Sequence, residues 1–181
     1  YKNYMCLILL VFTSCKEESH EAYGSDGIPP GKVIINSIGN KHGGAVIKFT
    51  APTDQDLLYI SGKYKNEKDI LKEVIVSGYI DSLNIDGFGG TGNFQVKVSA
   101  YDQGNNESEA ENVTISPLES PIHAILESFE AEQDFGGINI KYKNPTRAKV
   151  SLNMSIENSS GDIVFIKSYY TSQKESSYSF R

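Results

Sequence analysis

The chain has 181 residues, a net charge of −6 and 39% hydrophobic residues, which is ordinary for a globular protein and sufficient for one large domain or two small ones. The acidic balance argues against nucleic-acid binding, because displacing phosphate counterions needs clustered Lys and Arg. Both cysteines, Cys6 and Cys15, lie in the first fifteen residues and cannot cross-link a core further along. Stability must therefore come from packing, and no nucleic-acid partner is expected.

The start of the chain has the layout of a secretory signal. Residues 5–12, MCLILLVF, are continuously apolar, Lys2 precedes them, and the small residues Thr13 and Ser14 follow. Eight residues are too few to cross a bilayer as a helix, which takes about 20. A buried strand or helix segment with a free thiol is the alternative interpretation. The position and the abrupt change to polar residues favour a signal peptide at residues 1–14.

The residues around the second cysteine, FTSC at residues 12–15, resemble a bacterial lipobox. This resemblance implies that the signal is cleaved before Cys15 and that Cys15 becomes the acylated first residue. Each buried methylene contributes about 0.8 kcal/mol, so two or three acyl chains make a lasting anchor. The outer membrane is therefore an expected partner, held through the lipid on Cys15.

The three charges that follow, Lys16, Glu17 and Glu18, resemble the export signal of Bacteroidota lipoproteins. The resemblance implies a lipid-anchored protein on the cell surface, at the outer face of the outer membrane. Taken alone, such a charge run is more commonly a solvated linker. Residues 15–30 are polar, contain Gly and Pro and follow no hydrophobic pattern. We therefore expect them to form the lipidated cysteine and a flexible tether.

Short runs of alternating hydrophobicity, bounded by turn residues, follow the tether, and they predict an antiparallel β-sandwich. Alternate residues of the sixth run, Phe94, Val96, Val98 and Ala100, are expected to face the core, and Ser99 to face away. No helix-length periodic segment is visible. The seven runs are residues 32–36, 44–52, 57–64, 71–79, 82–86, 93–101 and 111–118.

An internal repeat indicates two domains. GGAVIKF at residues 43–49 recurs as GGINIKY at 136–142, and Pro52-Thr53 recurs as Pro145-Thr146, all at one offset of 93 residues. A match of diglycine, Ile-Lys-aromatic and Pro-Thr at a single offset is hard to obtain by chance.

We therefore predict an all-β protein of tandem sandwiches. The first domain is placed at residues 31–118 and the second at 119–181, where it is expected to be incomplete at its C-terminus. Pro117 and Pro121 predict turns that form a short, stiff joint between the two.

The first unit resembles a fibronectin type III or immunoglobulin-like domain. PGKVIIN at residues 30–36, VIKFTAPTDQDLLYI at 46–60 and GNFQVKVSAYDQGNNES at 92–108 carry the resemblance. The tryptophan that the family usually has in its core has no counterpart here. Phe94 stands where the family has a tyrosine at the start of the sixth strand, so the hydrogen bond of that tyrosine is absent.

The lipobox, the three charges, GSDGIPPGKV at residues 24–33 and two sandwiches together resemble surface lipoproteins of Bacteroidota glycan-uptake loci. The first domains of these proteins are domains of unknown function, and a discoidin-like domain often follows them. The resemblance implies a non-catalytic lipoprotein of carbohydrate utilisation. Its sandwiches would present a distal glycan-binding domain, absent here, near a glycan-uptake porin. Two alternatives stay open: the stalk of a surface glycoside-processing enzyme, and an adhesin or protein-interaction module.

Two glycine-rich motifs are interpreted as strand connections. Residues 87–92, GFGGTG, fit G-x-G-x-x-G, but an alternating strand follows where a dinucleotide site needs a helix. Residues 134–137, DFGG, match a metal-binding triplet of kinases, yet no other kinase motif accompanies them. We therefore predict no bound cofactor.

No patterned metal site or catalytic pair is visible in the sequence. The three histidines, His20, His42 and His123, lack spaced His or Cys partners. Asp54 and Asp56 could supply oxygen ligands to calcium, although an acidic loop is more often simply solvated. The sequence leaves that question open, and we predict no catalytic residue and no metal ligand.

Aromatic platforms for sugar are weakly represented. The chain has no Trp, and the candidates for stacking on a sugar ring are tyrosines such as Tyr169-Tyr170. Strand tyrosines are more often packing residues. We therefore expect only weak sugar binding by this part of the protein.

Overall fold

The computed structural model describes residues 26–180. The predictions of a signal peptide at residues 1–14, of lipidation at Cys15 and of an export signal at Lys16, Glu17 and Glu18 lie outside the described residues. Among residues 26–180, no helix is long and apolar enough to cross a membrane.

The first unit is a sandwich of seven antiparallel strands. One sheet has three strands in the order β1-β2-β5, and the other has four in the order β4-β3-β6-β7. This arrangement confirms the predicted all-β, fibronectin type III-like fold. The strands are β1 (Ile34–Lys41), β2 (Gly44–Thr50), β3 (Leu57–Lys65), β4 (Leu71–Ser77), β5 (Ser82–Asp86), β6 (Phe94–Asp102) and β7 (Glu111–Ile115).

The core of the first unit lies between its two sheets. Ile47, Leu83 and Ile85 from the three-stranded sheet are fully buried against residues such as Ile60 and Ile115 of the other sheet. Each such side chain stabilises the fold by about 1.5–3 kcal/mol through removal of apolar surface from water. The alternating apolar residues of the strands therefore form a hydrophobic core without disulfides.

The sixth strand follows its predicted alternation with one difference. Val96, Val98 and Ala100 are fully buried, and Phe94 is half-buried at the edge of the core. Ser99 points to the opposite face, as predicted, but is only 2% exposed. It lies opposite Ser61 on the central strand β3, which is likewise only 1% exposed.

Within residues 26–180, the second unit contains one short helix and five strands in two sheets. A three-stranded sheet has the order β12-β9-β8, and β10 pairs with β11. Tyr169 on β11 packs against Tyr178 and Phe180 on β12, so the two sheets face each other as in a sandwich. The elements are α1 (Pro121–Glu127), β8 (Glu130–Asp134), β9 (Gly137–Lys143), β10 (Val150–Glu157), β11 (Ile163–Thr171) and β12 (Glu175–Phe180).

Helix α1 corrects the sequence prediction of a turn at Pro121 and of no helix. Proline occupies the first turn of this helix, where its missing N–H is not needed for an intrahelical hydrogen bond. The helix is only seven residues long, which is too short for its periodicity to be visible in the sequence. Proline therefore begins a helix here instead of closing a turn.

The internal repeat corresponds to one local structure that occurs twice. Two-residue turns join β1 to β2 and β8 to β9, since Lys41 pairs with Gly44 and Asp134 pairs with Gly137. The second turn residue is glycine in both, with φ of 69° at Gly43 and 74° at Gly136. Residues with a side chain rarely adopt this backbone conformation, which explains why glycine recurs at this turn position.

The pairing of the remaining strands extends the repeat. In the three-stranded sheets, Lys48 lies opposite Ser82 and the equivalent Lys141 lies opposite Ser177. The β10–β11 pair corresponds to β3–β4 in chain order and antiparallel pairing. Within residues 26–180, the second unit therefore repeats the first five strands of the first unit.

Candidate interdomain joint

The joint between the two units is held by a short stretch of strand-like pairing. The Leu118 N–H donates to the carbonyl oxygen of Lys41 at 3.0 Å, and the Gly43 N–H donates to the carbonyl oxygen of Leu118 at 2.9 Å. These bonds form a parallel β-bridge between His42 and Leu118. The segment that leaves β7 is thus fixed to the β1–β2 turn before α1 begins.

Two histidines add side-chain bonds to the joint. Nδ1 of His42 lies 2.8 Å from the carbonyl oxygen of Glu119, and Nε2 of His123 lies 2.9 Å from the carbonyl oxygen of Gly89. A carbonyl oxygen only accepts, so each of these ring nitrogens must carry the proton. Because His123 belongs to α1, its bond connects the helix directly to the first unit.

The loop of residues 87–92 is anchored to the same turn. The carbonyl oxygen of Gly43 accepts the N–H groups of Gly87 at 3.1 Å and Phe88 at 3.2 Å. Phe88 is buried between Tyr64 and Phe94, with ring centroids 5.5 and 4.4 Å away. The G-x-G-x-x-G motif thus joins β5 to β6, as predicted, and its Phe88 ring packs in the core.

The opposite side of α1 contacts the second unit. Ile125 is 4% exposed, and the Ser128 hydroxyl at the end of the helix accepts the N–H of Lys143 on β9 at 2.9 Å. The same hydroxyl donates to the carbonyl oxygen of Ala124 at 2.8 Å. Helix α1 therefore has hydrogen bonds to both units, through His123 on one side and Ser128 on the other.

A shallow groove of about 150 Å³ runs along the joint, between the β1–β2 turn, α1 and Pro145-Thr146. It is smaller than the usual range of about 300–1,000 Å³ for small-molecule sites. Glu119 and Glu127 line it together with His42 and His123, but residues 26–180 contain no cluster of three metal-binding side chains. The two histidines thus serve as hydrogen-bond donors across the joint.

The acidic loop residues considered as calcium ligands accept hydrogen bonds from backbone N–H groups. Oδ2 of Asp54 accepts the Gly31 N–H at 3.0 Å, and Oδ2 of the buried Asp56 accepts the Asp26 N–H at 3.4 Å. These bonds hold residues 26 and 31 against the loop between β2 and β3. The carboxylates therefore have a structural role where the chain enters the sandwich.

A polar network that the sequence did not indicate covers the outer face of the four-stranded sheet. Tyr59 and Tyr101 stack with ring centroids 4.7 Å apart, and Nζ of Lys63 donates to the hydroxyl of Tyr101 at 2.7 Å. The Ser61 hydroxyl donates to Glu73 at 2.6 Å, in part-buried surroundings. The alternation that placed Val96 inward also places these residues on one outer face, which is the signal that could have revealed them.

The pKa values of this network reflect its mutual contacts. The hydrogen bond to Tyr101 raises the pKa of Lys63, and burial raises the pKa of Tyr59. Burial acts to raise the pKa of Glu107, but the hydrogen bond from Lys97, 3.0 Å away, and other bonds outweigh it and lower that pKa. The polar groups of the network therefore bond to one another, and the network has a structural role on the outer face of the sheet.

The predicted sugar-stacking pair does not form one platform. Tyr169 is half-buried and packs against the opposite sheet, whereas Tyr170 is 80% exposed and points away. The DFGG stretch lies in the two-residue turn between β8 and β9, as predicted. Neither motif contributes to a site.

Comparison with solved structures gives two alignments. A two-domain fibronectin type III segment of chicken tenascin aligns with a TM-score of 0.42 and 12% identity, over 83% of this chain and 82% of that one. The FN1–FN3 domains of chicken CNTN1 align with a TM-score of 0.38 and 10% identity, over 83% of this chain and 55% of that one. The fold assignment rests on the strand order described above.

Family comparisons divide the chain where the joint lies. No curated protein matches the chain. Residues 30–117 match the family described as Domain of unknown function (DUF4959), and residues 118–181 match the family described as Domain of unknown function (DUF5126). The chain is thus similar over residues 30–181 to two families of unknown function, one for each unit.

Proposed function

We propose that the chain is a non-catalytic spacing module that holds its second unit in a fixed orientation on its first. The observation that carries this proposal is the double attachment of α1. His123 bonds to the loop after β5, and Ser128 bonds to β9. A structural or interaction role of this kind agrees with the tandem fibronectin type III-like fold.

The proposal follows from the shortness and the pairing of the joint. A flexible linker lets two domains move independently, because few contacts cross the boundary. Here the residues between β7 and α1 form a β-bridge with the β1–β2 turn, so little backbone freedom is left. A domain attached beyond the second unit would then stand at a defined direction from the first.

We further propose that the protein is a surface lipoprotein of the outer membrane. Its support is the sequence resemblance: the lipobox ending at Cys15 and the charges Lys16, Glu17 and Glu18. The sandwiches would then space a distal glycan-binding domain from the membrane, beside a glycan-uptake porin. Its alternatives are the stalk of a surface glycoside-processing enzyme and an adhesin.

Pulsed electron paramagnetic resonance tests the rigidity of the joint. Spin labels are placed on cysteines introduced at Tyr79 and Ile163, which are 99% and 80% exposed, in a chain whose Cys6 and Cys15 are replaced by serine. We expect one narrow distance distribution. The double change His42→Ala with His123→Ala should broaden it, because both side-chain bonds across the joint are lost.

A matched control is Lys32→Ala, which removes exposed ion pairs with Glu109 and Glu111 at the start of β7, the end of that strand away from the joint. It should leave the distance distribution unchanged. A broad distribution in the unchanged joint would show that the two units move freely and would overturn the spacing proposal.

The membrane anchor has its own test. Cys15→Ala should leave the protein uncleaved or soluble, because an acyl chain has no attachment site. Fractionation of cells that express the full-length protein measures this, with Cys6→Ala as the control that should remain with outer membranes. Membrane association that survives Cys15→Ala would refute the anchor while leaving the spacing proposal intact.

A further inference from the structure

The loop that follows the second strand of each unit carries opposite charges in the two units. In the first unit this loop connects β2 to β3 and spans residues 51–56, and in the second it connects β9 to β10 and spans residues 144–149. At the repeat offset of 93 residues, Arg147 takes the place of Asp54, and Lys149 takes the place of Asp56. The second loop is therefore basic at two positions where the first is acidic.

This difference in charge is accompanied by a difference in contacts. Asp54 and Asp56 accept backbone N–H groups of the chain that enters the first unit, so both carboxylates have partners there. Arg147 and Lys149 are exposed, and neither side chain forms an ion pair or a hydrogen bond with any residue in 26–180. Their charges are therefore available to a ligand.

Arg147 lines an open cleft of about 660 Å³ between this loop and the turn from β11 to β12. The volume lies in the range of about 300–1,000 Å³ that is usual for small-molecule sites. Lys174 also lines the cleft, is exposed and has no ion pair within the described part of the chain. The other lining residues are Ser172, Gln173 and Glu175. The cleft is thus lined by two cationic residues, a hydroxyl, an amide and one carboxylate.

One buried residue fixes the two walls of the cleft to each other. Asn144 is 0% exposed, and its N–H donates to the carbonyl oxygen of Lys174 at 2.6 Å. Its side-chain amide bonds twice to the backbone of Ala148, at 2.8 and 3.1 Å. Its carbonyl oxygen accepts the N–H of Arg147 at 3.0 Å, and Arg147 has a φ of 55°. The walls are therefore preorganised, and a ligand need not order them.

We propose that this cleft binds a small hydroxylated carboxylate, of which sugar acids are the simplest class. The planar guanidinium of Arg147 matches a carboxylate through two parallel hydrogen bonds, and the ammonium of Lys174 adds a second positive charge. The carboxylate of Glu175 only accepts hydrogen bonds, so it suits hydroxyl groups of the ligand. Ser172 and Gln173 can donate to those hydroxyl groups or accept from them.

The lining of the cleft argues against two other ligand classes. A phosphate group carries about −1.5 to −2 charges at neutral pH, so Glu175 repels it more strongly than it repels a singly charged carboxylate. A neutral sugar lacks the charge that Arg147 and Lys174 attract, and no lining residue within 26–180 is aromatic. The cleft therefore agrees with weak binding of neutral sugars, and its ligand is independent of the spacing role.

NMR titration of the full chain, with Cys6 and Cys15 replaced by serine, tests the site. The probes are glucuronate, glucose as the neutral sugar with the same ring, and inorganic phosphate. We expect glucuronate to give saturable shifts of the amides of residues 144–149 and 171–175. Its affinity should exceed that of glucose by at least about tenfold, because hydrogen bonds to charged groups are the stronger ones. Phosphate should bind more weakly than glucuronate.

Substitutions separate the cleft from a general attraction of anions to lysine and arginine. Arg147→Gln and Lys174→Gln should each weaken glucuronate binding by at least about fivefold, because each removes a charged donor. Lys149→Gln is the matched control, since it removes a cation of the same loop that does not line the cleft. It should change the affinity by under about twofold. All three side chains are exposed, so the fold should be retained, and the amide spectrum checks this.

Four results would overturn the proposal. They are the absence of saturable shifts with glucuronate, shifts confined to other parts of the chain, phosphate binding as tight as glucuronate binding, and an equal loss of affinity in Lys149→Gln and Arg147→Gln. The last of these would show a general attraction of anions in place of a site. None of these results bears on the spacing proposal, because none depends on the distance between the two units.

Discussion

The first unit buries the inner faces of both of its sheets. The second unit leaves part of the inner face of its equivalent three-stranded sheet exposed. The two sheets share strand order, hairpin turns and cross-strand register. Nevertheless, Ala45 is 0% exposed and Ile138 is 46% exposed. Local sequence signals thus determine the hairpin and its pairing, but burial depends on strands that come from elsewhere in the fold.

The largest expected difference between the units concerns their central isoleucines. Ile47 and Ile140 are equivalent positions in the repeat, but Ile47 is fully buried and Ile140 only half-buried. Ile47→Ala should lower the free energy of unfolding by about 2–5 kcal/mol through lost burial and the cavity that remains. Ile140→Ala should cost less than about half of that. Denaturant titration followed by NMR signals of each unit measures both losses.

The neighbouring lysines supply matched controls for this comparison. Lys48→Ala and Lys141→Ala change the residue next to each isoleucine, and both lysines are exposed. Lys48→Ala should change the stability by under about 0.5 kcal/mol. Lys141→Ala should change it by under about 1 kcal/mol, because an exposed ion pair with Glu132 is also lost. Equal losses for Ile47→Ala and Ile140→Ala would mean that the second unit packs as tightly as the first.

The turn glycines should show a smaller difference. Gly43→Ala and Gly136→Ala both force a side chain into a positive φ, which costs about 1–2 kcal/mol. A Cβ at Gly43 would also lie 3.3 Å from the carbonyl oxygen of Phe88, whereas a Cβ at Gly136 meets nothing within 4 Å. Gly43→Ala should therefore be the more destabilising by about 1 kcal/mol, measured by thermal unfolding.

Gly39→Ala is the control for the glycine pair, because Gly39 lies in β1 and has no positive φ. It should be neutral or slightly stabilising. If Gly136→Ala proved the more costly change, the contact between the β1–β2 turn and the loop of Phe88 would not contribute to stability as we infer.

Strands of the first unit could be predicted because each carries its own alternation of apolar and polar residues. The exception is β1, which extends to Lys41 although the prediction ended at residue 36. Residues 37–41 are mostly polar or glycine and become a strand only by pairing with β2. Pairing across the hairpin with β2 therefore decided the boundary that the pattern within β1 missed.

The joint could not be predicted from the sequence for a related reason. His42 bonds to a backbone carbonyl 77 residues away, and His123 bonds to one 34 residues away. Every residue has a backbone carbonyl, so neither bond can be recognised from the types of side chain in the sequence. The stack of Tyr59 on Tyr101 could not be predicted either, because it depends on the register of β3 with β6.

The smallest expected effect concerns acid stability, and it also separates the two units. Hydrogen bonds from Lys97 and other groups lower the pKa of Glu107 in the folded first unit despite its partial burial. A carboxyl whose folded pKa is below its unfolded value stabilises the protein above the unfolded pKa of about 4.3. That contribution is lost as the pH falls through the lower, folded value.

Glu107→Gln removes this titration, so the stability of the first unit should fall less steeply between about pH 5 and pH 3. The second unit serves as the internal reference, because Glu107 belongs to the first unit and its acid unfolding should not change. Glu109→Gln is the matched control, since Glu109 is 80% exposed and its nearest cation, Lys32, is 3.5 Å away. Thermal unfolding at a series of pH values, followed by NMR signals of each unit, measures these slopes. An unchanged acid slope in the first unit of Glu107→Gln would show that the network over the four-stranded sheet does not hold Glu107 in its charged form.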